Sequence, residues 1–328
     1  MQCWFGDTTV LKLRVDPWAA EYEGSVFLDE TVVEPLVPVD PFVETEDWRP
    51  VWPEPVERPH HIVFVDGVQR VEVRVIGEQE GALVYGAFAS LAVGAAVTQP
   101  GSPTVAAEPP QRALALADGA STEPVSIPCG SLVLEFQVQS NPMRGHAGVR
   151  EALGNMRRDA ETSLGQAMVD RGYPLVVMDG RLRFQPTRRS MVVGLAKTLH
   201  TLYLGPPQSD ILGKLPAGSR TPIFAIQYAT PVYSWYIRLA ERRPIDHLLA
   251  GVVRLETMAG IGLEAAARLA DLTALHLPGF ASSPAWDPRA PQNLYPVAAL
   301  ENHLRHLLGD HEWIRRAIEG YLYRGGAQ

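Results

Sequence analysis

Cysteine is nearly absent: the 328 residues contain two, Cys3 and Cys129. That excludes a disulfide framework and a cluster of metal-binding thiolates, and it leaves a reducing compartment as the expectation. Long apolar runs are also missing. The longest, Ala82 to Val97, is sixteen residues rich in Gly, Ala and Ser, short of the roughly 20 that a spanning helix needs. The first residues, Met1-Gln2-Cys3-Trp4-Phe5-Gly6-Asp7, carry no basic start and no apolar core of signal-peptide length, so the chain is expected to be soluble and cytoplasmic. Positive charge is in deficit, with a formal net charge of −8. A surface that coats nucleic acid throughout is excluded, while a local basic groove is not. There is no Gly-rich phosphate loop, which argues against a phosphotransferase, and no internal repeat.

What is present is a globular composition, 46% apolar and 20% charged, with length for one large domain or two ordinary ones. Two apolar runs stand out. His61-Ile62-Val63-Phe64-Val65 runs into Asp66-Gly67, and Pro174-Leu175-Val176-Val177-Met178 runs into Asp179-Gly180. Both read as buried strands closed by a turn glycine. An aspartate at the end of a buried strand sits at the rim of a sheet. Two such strands can hold two carboxylates side by side, as a hard divalent cation requires in phosphodiester chemistry. The bland alternative is a pair of ordinary Asp-Gly turns.

Residues 1–59 read as a separate arm. Seven prolines fall between Pro35 and Pro59, interleaved with acids, Trp48 and Trp52, a pattern no regular helix or central strand tolerates. Residues 60–328 read as one α/β domain. Val71, Val73 and Val75 alternate with Glu72 and Arg74 as a half-exposed hairpin strand. Ala82 to Val97 reads as sheet with a short helix, 98–128 as a long loop insertion, and Ser131 to Gln139 as a strand. A helix follows over 146–171, with Val149, Leu153, Met156, Ala160, Leu164 and Ala167 on one stripe. At about 100° per residue, Glu151 falls opposite the stripe, while Asp159 and Glu161 flank it on either side, and geometry does not choose between them. Arg181, Arg183, Arg188, Arg189 and Lys197 follow the second acidic strand as a basic cluster suited to phosphates or simply to solvent. Strands are expected over 221–227, 232–239 and 251–255, a helix through Leu272, a Pro-rich loop over 277–294, and a last helical pair. In the first of these, Tyr295-Pro296 stands at a favourable helix entry and His303 lies beside the stripe of Val297, Leu300, Leu304 and Leu307.

A strand ending in Asp, hairpin strands, a helix carrying a carboxylate and a second strand ending in Asp is the ground plan of an RNase H-like core, a mixed sheet flanked by helices. With Val65-Asp66-Gly67, the helical Met156-Arg157-Arg158-Asp159-Ala160-Glu161, Val177-Met178-Asp179-Gly180-Arg181-Leu182, Gly194-Leu195-Ala196-Lys197, Val253-Arg254-Leu255-Glu256 and Tyr295-Pro296 with His303, in that order over about residues 60–310, the chain resembles the NurA nuclease family. The resemblance implies an Mn²⁺-dependent nuclease (Mg²⁺ possible), acting on DNA as a 5′-3′ exonuclease and single-strand endonuclease. It further implies a homodimer working with a hexameric HerA-type translocase in end resection and recombinational repair. It carries the metal-ligand role onto Asp66, Glu161 and Asp179, selecting Glu161 over Asp159. It carries catalytic or ligand roles onto His303, with Tyr295 alongside. Lys197 is expected near the scissile phosphate, and Arg181, Arg183, Arg188 and Arg189 in DNA binding. Val68 departs from the family's usual Ser after Asp-Gly. That departure supports a competing expectation, a weak or inactive adaptor of the translocase with the same fold.

Overall fold

The computed structural model describes residues 12–15 by their backbone, and residues 37–99, 103–184, 191–197, 199, 201–244, 246–283, 285 and 290–325. Arg188 and Arg189, and Cys3, lie outside them. The strands are β1 (Lys12–Val15), β2 (Val39–Asp40), β3 (Ile62–Gln79), β4 (Ala82–Thr98), β5 (Thr104–Ala107), β6 (Gln111–Leu116), β7 (Val125–Cys129) and β8 (Leu132–Ser140). The helix α1 (Gly145–Asp170) follows, then β9 (Leu175–Asp179), β10 (Met191–Ala196), β11 (Phe224–Ile226), β12 (Val232–Arg238) and β13 (Val252–Met258). Helices α2 (Leu263–His276), α3 (Tyr295–Leu307) and α4 (His311–Tyr323) close the chain.

One mixed sheet runs β2-β11-β12-β13-β10-β9-β3-β4-β6-β8-β7, with β1 added on β3 and β5 on β4. Its centre, β6-β4-β3-β9-β10, has β3, β4 and β6 antiparallel, then β9 parallel to β3 and β10 parallel to β9. The helix α1 supplies the crossover between the two halves. This is the strand order of an RNase H-like core, and the expected mixed sheet flanked by helices is what the chain forms. The apolar run of β3 is buried on both faces, as a central parallel strand requires. Val63 and Val65 pack under α1 with Leu164 and Met168. Ile62, Phe64 and Val68 pack under α2 and α3 with Leu269, Val297, Leu300 and Leu304.

Three expectations need correction. Asp66-Gly67 does not end its strand, because β3 continues through it to Gln79, paired with β4 along its whole length. Gly67 is therefore a strand residue without positive φ, while Gly180, at φ 82°, does turn the chain. Residues 98–128 are not a loop: they contain β5, β6 and β7, whose small residues, such as Ala113 and Ala115, pack tightly beneath α1. The run from Ala82 is strand throughout, with no helix, since neighbours on both sides satisfy its backbone. Of the Pro-rich segment, residues 37–59 lie along the far edge of the sheet. There β2 pairs with β11, Trp48 packs on Phe224, and Arg220 joins Glu44 to Asp271 of α2, while Trp52 stays exposed.

A second buried acid holds the C-terminal helices in place. Glu72 sits at the bulge between Val71 and Val73, its carboxylate fully buried. It accepts from Arg70 at 2.9–3.1 Å and from the Ser90 hydroxyl, and it pairs with His311 Nδ1 at 2.6 Å. Arg70 and Arg112 in turn donate to the carbonyls of Gly309 and Leu308, between α3 and α4. Glu72→Ala would strip the partly buried Arg70 and Arg112 and the buried Ser90 hydroxyl of their carboxylate partner, which costs about 1–3 kcal/mol. The expected result is a matching drop in the denaturant midpoint with little change in its slope, and a smaller drop for Glu72→Gln.

Candidate active site

The site lies where β3 and β9 part. Their parallel ladder pairs Ile62 with Leu175 and ends with Val65 against Met178. One step further along that register, Asp66 comes beside Asp179, the last residue of β9. Beyond this point β3 follows β4 away and Gly180 turns the other chain aside, so a notch opens between them. Asp66 is buried, while Asp179 is partly exposed.

Three further segments close on the notch. Glu161 comes from α1, buried, with its carboxylate lying directly over Gly67; a Cβ at Gly67 would stand 2.7 Å from Glu161 Oε1. Arg157, one turn earlier, donates to the same oxygen at 2.7 Å. Lys197 follows β10 and places Nζ 3.0 Å from Asp179 Oδ1, 3.3 Å from Asn293 Oδ1 and 3.9 Å from Glu301 Oε1. Glu301 reaches in from α3, buried, and also accepts from Arg305 at 3.1 Å. Asp179 and Glu301 thus meet at the Lys197 ammonium, and Asp66 feels the charges of Asp179, Lys197, Glu161 and Glu301.

The electrostatics follow from this crowding. Burial, then the charge on Asp179, pushes the Asp66 carboxyl well above the usual carboxylate range, with Glu161 and Glu301 adding and Lys197 opposing. Burial pushes Glu161 up to about 7, against the pull of Arg157 and with Asp179 reinforcing it. Among the described residues, no three Asp, Glu, His or Cys side chains form a ready metal-ligand set. Lys197 and Arg157 instead supply the counter-charge. The donor set nevertheless fits a hard divalent cation by its chemistry, being all oxygen and multiply anionic.

Asp66, Glu161, Asp179 and Lys197 are therefore brought together, and Asp159, exposed on α1, is not among them. His303 stands apart. The buried face of α3 is Val297, Leu300, Glu301 and Leu304, which leaves His303 about 200° around the helix from Glu301 and exposed. Tyr295, the first residue of α3, is also exposed. Arg181 and Arg183 are exposed just past the notch, and Arg183 lies close enough to Arg158 to lower the latter's affinity for its proton. Val68 carries no polar contact to the site and packs into the core. Glu301, Asn293 and Arg157 are site residues the sequence reading does not assign. For Glu301 the signal was available: it stands four residues after Val297 and three before Leu304, beside the apolar stripe on the flank opposite His303.

Neither a family model nor a curated protein matches the sequence. Among solved structures, the chain is similar to the crystal structure of the NurA nuclease from Sulfolobus solfataricus. The identity is 10%, the TM-score is 0.46, and the match covers 84% of this chain and 88% of that one. Such a likeness says nothing of side-chain roles, which the site itself must carry.

The raised acids make a signed prediction. Glu161 binds its proton more tightly folded, at about 7, than unfolded, where a glutamate titrates near 4.3. Its protonation therefore favours the fold below about pH 4, and that advantage fades as pH rises to about 7. Asp66 acts in the same direction. In chelator, the melting temperature of the parent should fall relative to that of Glu161→Gln as pH is raised from 5 to 7.5. Equal slopes for the two proteins would refute the buried-acid assignment.

Proposed function

We propose that this chain is a divalent-metal-dependent nuclease acting on DNA. The observation that carries the reading is buried Asp66 beside Asp179 at the notch of an RNase H-like sheet, within the electrostatic reach of Glu161, Glu301 and Lys197. Asp66 and Asp179 are the primary ligands, with Glu161 and Glu301 completing the oxygen donors toward Mn²⁺ or Mg²⁺. A cation held there supplies Lewis acidity toward a phosphoryl oxygen and toward the attacking water. The chain's own groups do the rest. Lys197, oriented by Asp179 and Asn293, takes up negative charge on the phosphate as it develops. Arg157, Arg158 and Arg183 form a basic rim beside an otherwise acidic molecule, and phosphate contacts there set the path of the strand.

The test is cleavage of end-labelled DNA with Mn²⁺, Mg²⁺ or chelator, over a range of salt. Cleavage is expected only with metal, with affinity falling steeply as salt rises. No cleavage with either ion overturns the reading and leaves the adaptor. From the resemblance we extend the proposal to 5′-3′ exonuclease and single-strand endonuclease action, as a homodimer with a HerA-type hexamer in DNA-end resection. Light scattering of the protein with and without such a hexamer, and polarity assays on singly labelled ends, check these parts.

A further inference from the structure

The segment leaving the notch is built with more care than a turn needs. Leu182 is buried, and its N–H donates to Glu256 Oε1 at 2.9 Å. Glu256 is itself buried and held by Arg254 at 2.6 Å. Anchored by its neighbour, Arg181 lays its guanidinium over the ring of Tyr228, with Cζ 3.6 Å from the ring centroid. Tyr228 is braced from behind. Its hydroxyl is hydrogen-bonded to that of Tyr203 at 2.6 Å, the two rings meet edge to face, and the Arg254 guanidinium packs on Tyr203 at 4.7 Å. Two buried charges and two tyrosines thus fix the plane of one surface arginine.

Arg181 is exposed, and it follows Asp179 by two residues, a chain reach of at most about 7 Å. A guanidinium on an aromatic ring is a flat, cationic π surface, the kind on which unstacked bases settle in single-strand binders. Within a duplex the base faces are already covered by their neighbours.

We propose that Arg181, stacked on Tyr228, is the platform for an unpaired nucleobase next to the bond being cut. The platform biases the site toward single-stranded ends. This inference rests on the nuclease reading above.

The test uses the full-length protein, a short single-stranded oligonucleotide carrying 2-aminopurine near its end, and the matching blunt duplex. Arg181→Lys keeps the charge and removes the plane; Tyr228→Leu keeps bulk beneath Arg181 and removes the ring. Both should weaken the stacking change in 2-aminopurine fluorescence. Both should raise KM for the single strand by about tenfold, the scale of one lost base–aromatic stack, with a smaller effect on kcat and on the duplex. Thermal melts confirm that the variants fold. Unchanged fluorescence and KM in both variants overturn the platform while leaving the nuclease intact. An equal loss on duplex and single strand also overturns it, making Arg181 a phosphate contact. If the parent neither cleaves nor binds DNA, the nuclease reading fails and the platform falls with it.

Discussion

Asp66→Asn should abolish metal-dependent cleavage while leaving the apo-protein at least as stable as its parent. The two halves have opposite causes. Asp66 is buried beside Asp179, with Glu161 and Glu301 adding their charge and Lys197 opposing them. Removing a negative charge from that cluster relieves repulsion and desolvation together, and the amide is of nearly equal size. The Oδ1 atom that accepts from Gly67 N at 2.7 Å is kept. Unfolding in chelator should therefore move little, or toward higher temperature. Catalysis has no such substitute. An amide oxygen holds a divalent ion less tightly than a carboxylate, and the charge that makes the ion useful to the phosphate is then lost or misplaced. A fall of about 10³-fold or more in rate is expected, the scale of removing a group that acts on the transition state directly. The stabilisation that Mn²⁺ gives the folded state should shrink with it. Cleavage at the parent rate would reduce Asp66 to a strand residue and remove the centre of the proposed site.

The parts of the core carried by periodicity were legible in the sequence. The run Ile62–Val65 and the run Leu175–Met178 announce buried strands because both faces of a central parallel strand are apolar, and α1 announces itself by its stripe. From that order the RNase H-like plan follows. Less legible was where strands stop. Asp-Gly reads as a turn, and at Gly180 it is one. At Gly67 the glycine serves a tertiary purpose, since it makes room for Glu161, and no local pattern distinguishes the two. The segment 98–128 hid three short strands because they are short and interrupted or flanked by proline, although their partners lie close in sequence.

The same limit shapes the site. Asp159 and Glu161 flank the stripe of α1 symmetrically, so periodicity left the choice open, and only packing against Gly67 decides it. In α3 the flanks are held by Glu301 and His303. The helix is rotated to bury Glu301, because Lys197 faces it there and Arg305 completes its pairing. Such choices are made by partners a hundred residues away.

Gly67→Ala gives the sharpest separation of site from fold. Gly67 lies in extended backbone with no positive φ, so alanine is allowed there, and the shorter list of unfolded conformations favours the variant by about 0.4–1 kcal/mol. The new methyl would meet Glu161 Oε1 at 2.7 Å, Val93 Cγ1 at 3.0 Å and the Arg157 Cγ at 3.2 Å. The first contact forces the largest movement, and it falls on the free end of a flexible side chain; the Val93 and Arg157 side chains must each give by a few tenths of an ångström. Glu161 gives way, taking its ion pair with Arg157 along, while the sheet stays put. Crowding in a packed region costs about 1–3 kcal/mol, so the net change in stability is small, on the order of 1 kcal/mol. A carboxylate moved by about 1 Å from its working position is a different matter, since such a misplacement can cost about 10²-fold in rate. The expected outcome is a variant that melts near its parent and cuts DNA about a hundredfold more slowly. Shortening the acid by one methylene, as Glu161→Asp, should impair the parent but restore part of the rate when combined with Gly67→Ala, because the shorter side chain clears the methyl. That non-additivity is the signature of two residues sharing one space. Purely additive losses, or a Gly67→Ala protein that cuts at the parent rate, would mean that the approach of Glu161 over Gly67 has no part in the chemistry.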